Sequence, residues 1–408
     1  MSSKQLVRSF CKRNQQRKES WAISQNSYLG RGVLAQLADV IRRASPRAVF
    51  LVKSPGAYKA SGAEPLVEKA LAGLETISFD SFTPNPKWSD IMVALELLRK
   101  SSCDLILAVG GGSAIDIGKM VSFLARQPAS PETYLQAGVK PVEPVIPLVA
   151  IPTTAGSGSE ATHFAVVYYE GKKHSVAHED ILPRYCLVDS SLTDSLPPLW
   201  SAASGLDAFC QAVESMWAVQ SDDESMACSR KAIALSFDQL ATASTSPSPA
   251  SRDAMCEASH LAGKAINISK TTACHALSYT MTSMLGVPHG HAVAMTLGAV
   301  MAYNYAVCED DCNDPRGCEH VRARIDEVLQ VLGATGIEEG RNKIESFIES
   351  TGLTSSLTAI GITGSEALDK LADGVNAERL GNNPRKFSRE SILSMLQELQ
   401  SRSHPGES

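Results

Sequence analysis

The chain has 408 residues, 44% of them hydrophobic and 20% charged, with a formal net charge of −6. A single hydrophobic core rarely grows past roughly 250–300 residues, so this length predicts two domains, and the apolar share argues against general disorder. The mild acidity gives no sign of a nucleic-acid partner, whose phosphates call for excess Lys and Arg. No apolar run reaches the ~18–20 residues of a membrane span, so no membrane partner is expected either.

The first 20 residues carry six basic side chains against one acid, Glu19. We read residues 1–20 as a solvated basic extension; an Arg-rich, acid-poor transit segment is the alternative. From about residue 25 to 190, short apolar runs alternate with helical stretches. AVFLV (48–52), LILAV (105–109) and LVAI (148–151) are continuous β-rich runs of the sort buried in a parallel sheet. PLVEKALAGL (65–74) and SDIMVALELLRK (89–100) lie between them and predict helices. Repetition of strand, helix and strand implies right-handed βαβ units in a doubly wound sheet.

The two prolines of SLPPLW (195–200) mark a boundary. Beyond them no strand is evident, and helices are expected over 201–219, 224–243, 251–266, 320–333 and 388–402. The Ser/Pro tract 244–251 separates the second from the third. The predicted organisation is an α/β domain over 21–195 and an all-helical domain over 196–408.

Ten cysteines are scattered without a CxxC pair, mostly in apolar or helical surroundings where free Cys acts as a small hydrophobe. That pattern fits a reducing, cytoplasmic compartment. Only Cys308, Cys312 and Cys318 cluster, in CEDDCNDPRGCEH, where a zinc knot completed by His320 is the alternative to a plain loop.

Directly after LILAV comes GGGSAIDIGKM (110–120). Glycines at a strand-to-helix turn let backbone N–H groups approach phosphate oxygens, and the helix N-terminus adds its dipole. The segment is not a P-loop, which would need Gly in place of Ser113 and Ser or Thr in place of Met120. On its own such a glycine cluster reads as a tight turn before it reads as a nucleotide site. IPTTAGSGSEAT (151–162) is a second such turn, rich in hydroxyls, and two turns at the carboxyl ends of parallel strands favour a dinucleotide. AVFLV ends in Lys53 with no acid before Glu64, which leans towards NADPH over NADH because a Lys there suits a 2′-phosphate.

In the helical half, LDAFCQAVE places Asp207 and Gln211 four residues apart on one helix face. KTTACHALSYTMTSMLGVPHGHAV then carries His275 and, fourteen residues on, His289. Imidazoles with a carboxylate suit a divalent ion such as Fe(II) or Zn; a lone core histidine is the other reading of His275.

GGGSAIDIGK, IPTTAGSGSEAT, LVDSSLTDSLPP, SGLDAF, the histidine pair and NNPRKFSRE resemble, in this order, the iron-containing (group III) alcohol dehydrogenases, over about residues 28–395. The resemblance implies a Rossmann-like dinucleotide-binding α/β domain followed by an all-α domain, the dehydroquinate synthase-like architecture, with metal and substrate in the cleft between them. It implies metal ligation by Asp207, His275 and His289, with Gln211 where the family usually has a fourth ligand, His. It implies cofactor contacts at Gly111, Gly112, Ser113 and Asp116 on the first turn and Thr153, Thr154 and Ser157 on the second. Lys173 matches a family lysine near the cofactor, a surface lysine being the other reading. Tyr279 replaces a further family histidine near the nicotinamide, which makes its hydroxyl a candidate proton donor. His291 is the other candidate, or else a packing residue. A homodimer or larger homo-oligomer is implied as well.

Five residues before His275, where simple alcohol dehydrogenases tend to carry Gly, stands Lys270. The surrounding motifs are similar to the phosphonoacetaldehyde reductase branch of the family, and Lys270 would then anchor an anionic substrate tail as a point charge. The expected activity is reduction of a small anionic aldehyde, phosphonoacetaldehyde to 2-hydroxyethylphosphonate, by NADPH or NADH. The alternatives are a general alcohol dehydrogenase acting on uncharged substrates, a lyase of the dehydroquinate synthase kind, and a non-catalytic nucleotide-binding homologue.

Overall fold

The computed structural model describes residues 25–135, 139–375 and 380–402; the basic extension expected over residues 1–20 lies outside them. Two compact units are present. The α/β unit includes Val33–Thr153 and Ser159–Asp189, and the helical unit takes Gly30–Gly32, Thr154–Gly158 and the chain from Ser190 onwards. The second hydroxyl-rich turn is thereby divided, Thr153 belonging to the first unit and Thr154–Gly158 to the second.

The strands of the α/β unit's main sheet are β1 (Asn26–Leu29), β2 (Ala48–Lys53), β3 (Glu75–Phe79), β4 (Leu105–Gly110), β5 (Leu148–Pro152) and β8 (Tyr185–Val188). All six run parallel, in the order β1-β8-β5-β4-β2-β3. β4 and β5 are buried at every residue and β2 at all but its last, as expected of strands covered on both faces. An antiparallel hairpin of β6 (Phe164–Tyr169) and β7 (Lys172–Ala177) stands apart from the sheet. The helices are α1 (Leu37–Ala44), α2 (Ala57–Ala60), α3 (Ala63–Ala70), α4 (Trp88–Arg99) and α5 (Gly112–Leu124). The helix expected over 65–74 begins two residues earlier and stops at Ala70, because the chain turns through Gly73 at φ +85°.

The chain passes from β2 outwards to β3 and then returns to the other side of β2 as β4. The order therefore reverses between β2 and β4, and ligands of open α/β sheets bind in the crevice at the carboxyl ends of such strands. GGGSAIDIGKM begins at that end of β4.

The helical unit comprises α6 (Pro198–Trp217), α7 (Asp223–Thr245), α8 (Pro249–Ser269), α9 (Ala273–Leu285), α10 (His289–Tyr305), α11 (Cys318–Leu332), α12 (Ile337–Ser350), α13 (Gly364–Asp373) and α14 (Arg389–Ser401). Pro198 opens α6 at a position whose N–H would be unpaired anyway. Reciprocal caps start α7 (Asp222 with Ser225) and α8 (Ser248 with Ser251), so the Ser/Pro tract both ends one helix and begins the next. α6 is the spine: between residues 201 and 217 only Ser204 escapes burial. No helix among the described residues is long and apolar enough to cross a membrane.

Candidate active site

In the α/β unit, the first glycine turn is shaped by close approach. A Cβ on Gly110 would stand 2.0 Å from the Ser54 hydroxyl just past β2, so only glycine lets β4 end beside that strand. Gly111 caps α5 without a side-chain bond, and Ser113 Oγ accepts from the Asn85 N–H at 3.2 Å. One turn into α5, Asp116 accepts from Ser159 Oγ (2.6 Å) and the Val166 N–H (3.0 Å). Burial raises its pKa, opposed by the Lys119 and Lys173 ammonium charges and by its own hydrogen bonds. Lys119 is fully buried and donates to Ser159 Oγ, Thr162 Oγ1 and the Phe164 carbonyl. Burial pushes its pKa down to about 8 in spite of Asp116 and Glu160. Thr153 donates its N–H to the Gly110 carbonyl at 3.0 Å, while its buried hydroxyl has no hydrogen-bond partner. An orphaned hydroxyl beside a glycine turn fits a bound phosphate or ribose.

The sequence finds no acid near Lys53, but the sheet brings one. β2 and β3 run in register with Val52 opposite Phe79, so Asp80, the next residue, lies with its carboxylate 4.0 Å from the Lys53 ammonium.

In the helical unit, Asp207 on α6, His275 on α9 and His289 at the start of α10 converge, with their ligand atoms all within 4.8 Å of one another. His275 Nε2 lies 3.3 Å from Asp207 Oδ1, and the two imidazoles meet edge to face. Gly290 makes the convergence possible: a Cβ there would lie 2.0 Å from the Ala203 carbonyl and 2.7 Å from Asp207. Gln211 joins them from the next turn of α6. Its Nε2 donates to the Ser157 carbonyl at 3.4 Å, and its Oε1 is buried with no hydrogen-bond partner. An acceptor held free in this way suits a fourth ligand, so the donor set fits a divalent metal ion.

Glu214, two turns beyond Asp207 on α6, is a residue the sequence does not single out, yet it lies against His275. Fully buried, it takes the Thr272, Cys274 and His275 N–H groups and the Thr272 hydroxyl on one oxygen. Its other oxygen meets His275 Nδ1. That contact fixes the tautomer and turns Nε2 towards Asp207. Burial works against the imidazolium, yet Glu214 and Asp207 outweigh it and lift the His275 pKa to about 9. The visible signal was an acid seven residues after Asp207, on the same helix face.

Of the two proton-donor candidates, Tyr279 is half-buried, its ring lying nearly parallel to that of His289 at 6.3 Å. His291 is buried, and its Nε2–H donates to the Thr354 carbonyl at 2.7 Å. The cysteine loop brings no ligand set together: the metal-competent group among the described residues is Asp207, His275 and His289. The loop is instead a brace, in which Asp314 holds Arg316, Arg316 reaches the Ala218 and Ser221 carbonyls, and Asp311 pairs with Arg385.

Lys270 ends α8 at φ +58°, ψ −179°, a conformation essentially reserved for glycine that costs another residue roughly 1–3 kcal/mol. Asn382 straddles it: Nδ2 donates to the Ser269 carbonyl (2.7 Å) and to the Thr271 carbonyl (3.1 Å).

A parallel α/β sheet with a glycine turn at its reversal point, and a helical unit in which buried Asp207 and His275 meet half-buried His289, define a metal-dependent oxidoreductase of the alcohol dehydrogenase type. Residues 24–190 match the family model for iron-containing alcohol dehydrogenase, and residues 201–400 match that for the C-terminal part of the same family. The chain belongs to the iron-containing alcohol dehydrogenases. It is 34% identical to a phosphonoacetaldehyde reductase of Streptomyces viridochromogenes, covering 90% of this chain and 93% of that protein. It is also 34% identical to a choline dehydrogenase of Bacillus subtilis, over 68% of this chain and 70% of that one. Among solved structures, a sulfoacetaldehyde reductase of Bifidobacterium kashiwanohense in complex with NAD+ superposes with a TM-score of 0.82 at 28% identity, covering 94% and 99% of the two chains.

Proposed function

We propose that this protein reduces a small aldehyde with an anionic tail, phosphonoacetaldehyde to 2-hydroxyethylphosphonate being the reaction it fits best. The carrying observation is a cation in a glycine's conformation: Lys270 stands two residues ahead of Thr272, which shares Glu214 with His275. Two of its relatives act, by name, on two-carbon aldehydes bearing a phosphonate or a sulfonate. A divalent ion, Fe(II) first and Zn second, held by Asp207, Gln211, His275 and His289, would supply Lewis acidity at the carbonyl oxygen, and NADPH or NADH the hydride.

The protein's own groups do the rest. Gly111, Gly112, Ser113, Asp116, Thr153 and Lys173 of the α/β unit hold the cofactor. Lys270 neutralises the substrate's acidic tail and so fixes which end faces the imidazoles. Tyr279 carries the proton to the substrate oxygen. His291, whose Nε2–H is already engaged by Thr354, buttresses the start of α10.

The test is direct. With Fe(II), Zn or Mn added, NAD(P)H oxidation is followed with phosphonoacetaldehyde beside propanal and lactaldehyde. The anionic aldehyde should show the highest kcat/KM, and Lys270→Ala should lower that value roughly ten- to hundredfold, the loss of one charge-assisted contact. Equal kcat/KM values for propanal and phosphonoacetaldehyde would reject this substrate.

A further inference from the structure

We infer that Asn382 is a specificity-determining positioning residue: it clamps Lys270 in a strained backbone conformation, exchanging folding stability for a fixed cation. The inference rests on the anionic-aldehyde reading for its functional half, though not for its structural half. Glycine would end α8 at this position without strain, so nothing in helix termination asks for a lysine here. A strained residue persists only where its surroundings over-determine it.

They do so here from both sides. Asn382 Nδ2 ties the carbonyls before and after Lys270, while its own carbonyl and Oδ1 receive the N–H groups of Val219 and Gln220 just beyond α6. Ser269 Oγ lies 3.0 Å from the Lys270 carbonyl and 2.7 Å from Ser215 Oγ, within reach of either for its one proton. Thr272 is held by Glu214 and by Trp217 Nε1 at 3.0 Å. Asn382 cannot drift either, because its neighbour Asn383 exchanges amide hydrogen bonds with Asn304, and Arg385 lies over the Tyr303 ring with its guanidinium paired to Asp311. Asn382 therefore fixes the backbone on either side of Lys270, whereas Glu214 holds the His275 ring directly at Nδ1.

The experiment is a double-mutant cycle on the full chain with Lys270→Gly and Asn382→Ala, read by Tm and by the ratio of kcat/KM for phosphonoacetaldehyde over propanal. Lys270→Gly should raise Tm by roughly 2–4 °C. Asn382→Ala should lower Tm less in the wild-type background than in the Lys270→Gly background, because only the former has strain to release. An equal fall in both backgrounds, or a Tm lowered by Lys270→Gly, overturns the clamp. On the functional side, Asn382→Ala should lower the ratio roughly fivefold, through KM for the phosphonate, and hardly change it in the Lys270→Gly background. Lys270→Arg should keep most of the wild-type ratio. A ratio that ignores Lys270→Gly removes the anionic-substrate reading, while the Tm cycle still decides the clamp. A ratio that ignores Asn382→Ala while responding to Lys270→Gly overturns the positioning role.

Discussion

Gln211 is the residue at which this metal site departs most from a set of three imidazoles and a carboxylate. Its amide is oriented by Ser157, which takes the N–H and leaves the carbonyl oxygen as the only free end. Oxygen is a harder donor than imidazole nitrogen, so a site with Gln211 as its fourth ligand would hold a borderline ion such as Fe(II) or Zn less tightly than four strong ligands would. Gln211→His should raise affinity for either ion by at least about tenfold, the order typical of changes one bond away from a metal. Competition against a chromophoric chelator measures it, and an unchanged constant would mean that residue 211 does not ligate. The grouping of Asp207, His275 and His289 could be expected from the sequence, because the acid stands on one helix while the two histidines stand near the starts of two successive ones. Glu214 was on the same face as Asp207 and equally visible, but an acid at that spacing on a helix is ordinarily solvated. Only its burial beside His275 gives it a role.

At the scale of elements, the site depends on how closely α10 lies against α6. His289 occupies the first position of α10, and Gly290 behind it meets the backbone of Ala203 and Asp207 with no room for a methyl group. Gly290→Ala should force the two helices apart where Asp207 and His289 approach each other. The expected outcome is a loss of roughly 1–3 kcal/mol from overpacking. A fall in bound metal should accompany it, larger than that caused by a substitution of equal destabilisation elsewhere in the unit. Denaturant unfolding and metal content on the same preparation check the pair; retention of full metal stoichiometry would show that the approach is not needed for binding. The sequence PHGHAV displays this glycine without explaining it, since a glycine beside two histidines reads equally as a turn. α6, α7, α8, α11 and α14 were legible for a simpler reason, since caps, prolines at first turns and apolar stripes act within a few residues. By contrast α9 and α10, which carry the two histidines, begin without a side-chain cap and were not expected.

Across the whole molecule, what was hardest to read is what the sheet assembles from distant residues. The runs of β2, β4 and β5 were plain, and their continuous apolar character announced a parallel sheet, whereas the short or partly exposed β1, β3 and β8 were not read. Strand order was not plain either, and the choice of nucleotide hangs on it. Lys53 alone would favour a 2′-phosphate, but β3 lies beside β2, and Asp80 arrives from 27 positions later in sequence to stand 4.0 Å from it. Both side chains retain solvent exposure, 25% for Lys53 and 51% for Asp80, so their mutual attraction is weak and either can turn to a ligand. A carboxylate accepts the ribose hydroxyls of NADH and repels the extra phosphate of NADPH, whereas the ammonium does the reverse. Asp80→Ala should therefore raise the ratio of kcat/KM for NADPH over NADH, and Lys53→Ala should lower it, each by roughly ten- to hundredfold, as for loss of a charged hydrogen bond. Initial rates with the two cofactors at fixed aldehyde give the ratio directly. Opposite shifts place the adenosine ribose at the ends of β2 and β3, while a ratio unmoved by both substitutions would place it elsewhere along the sheet.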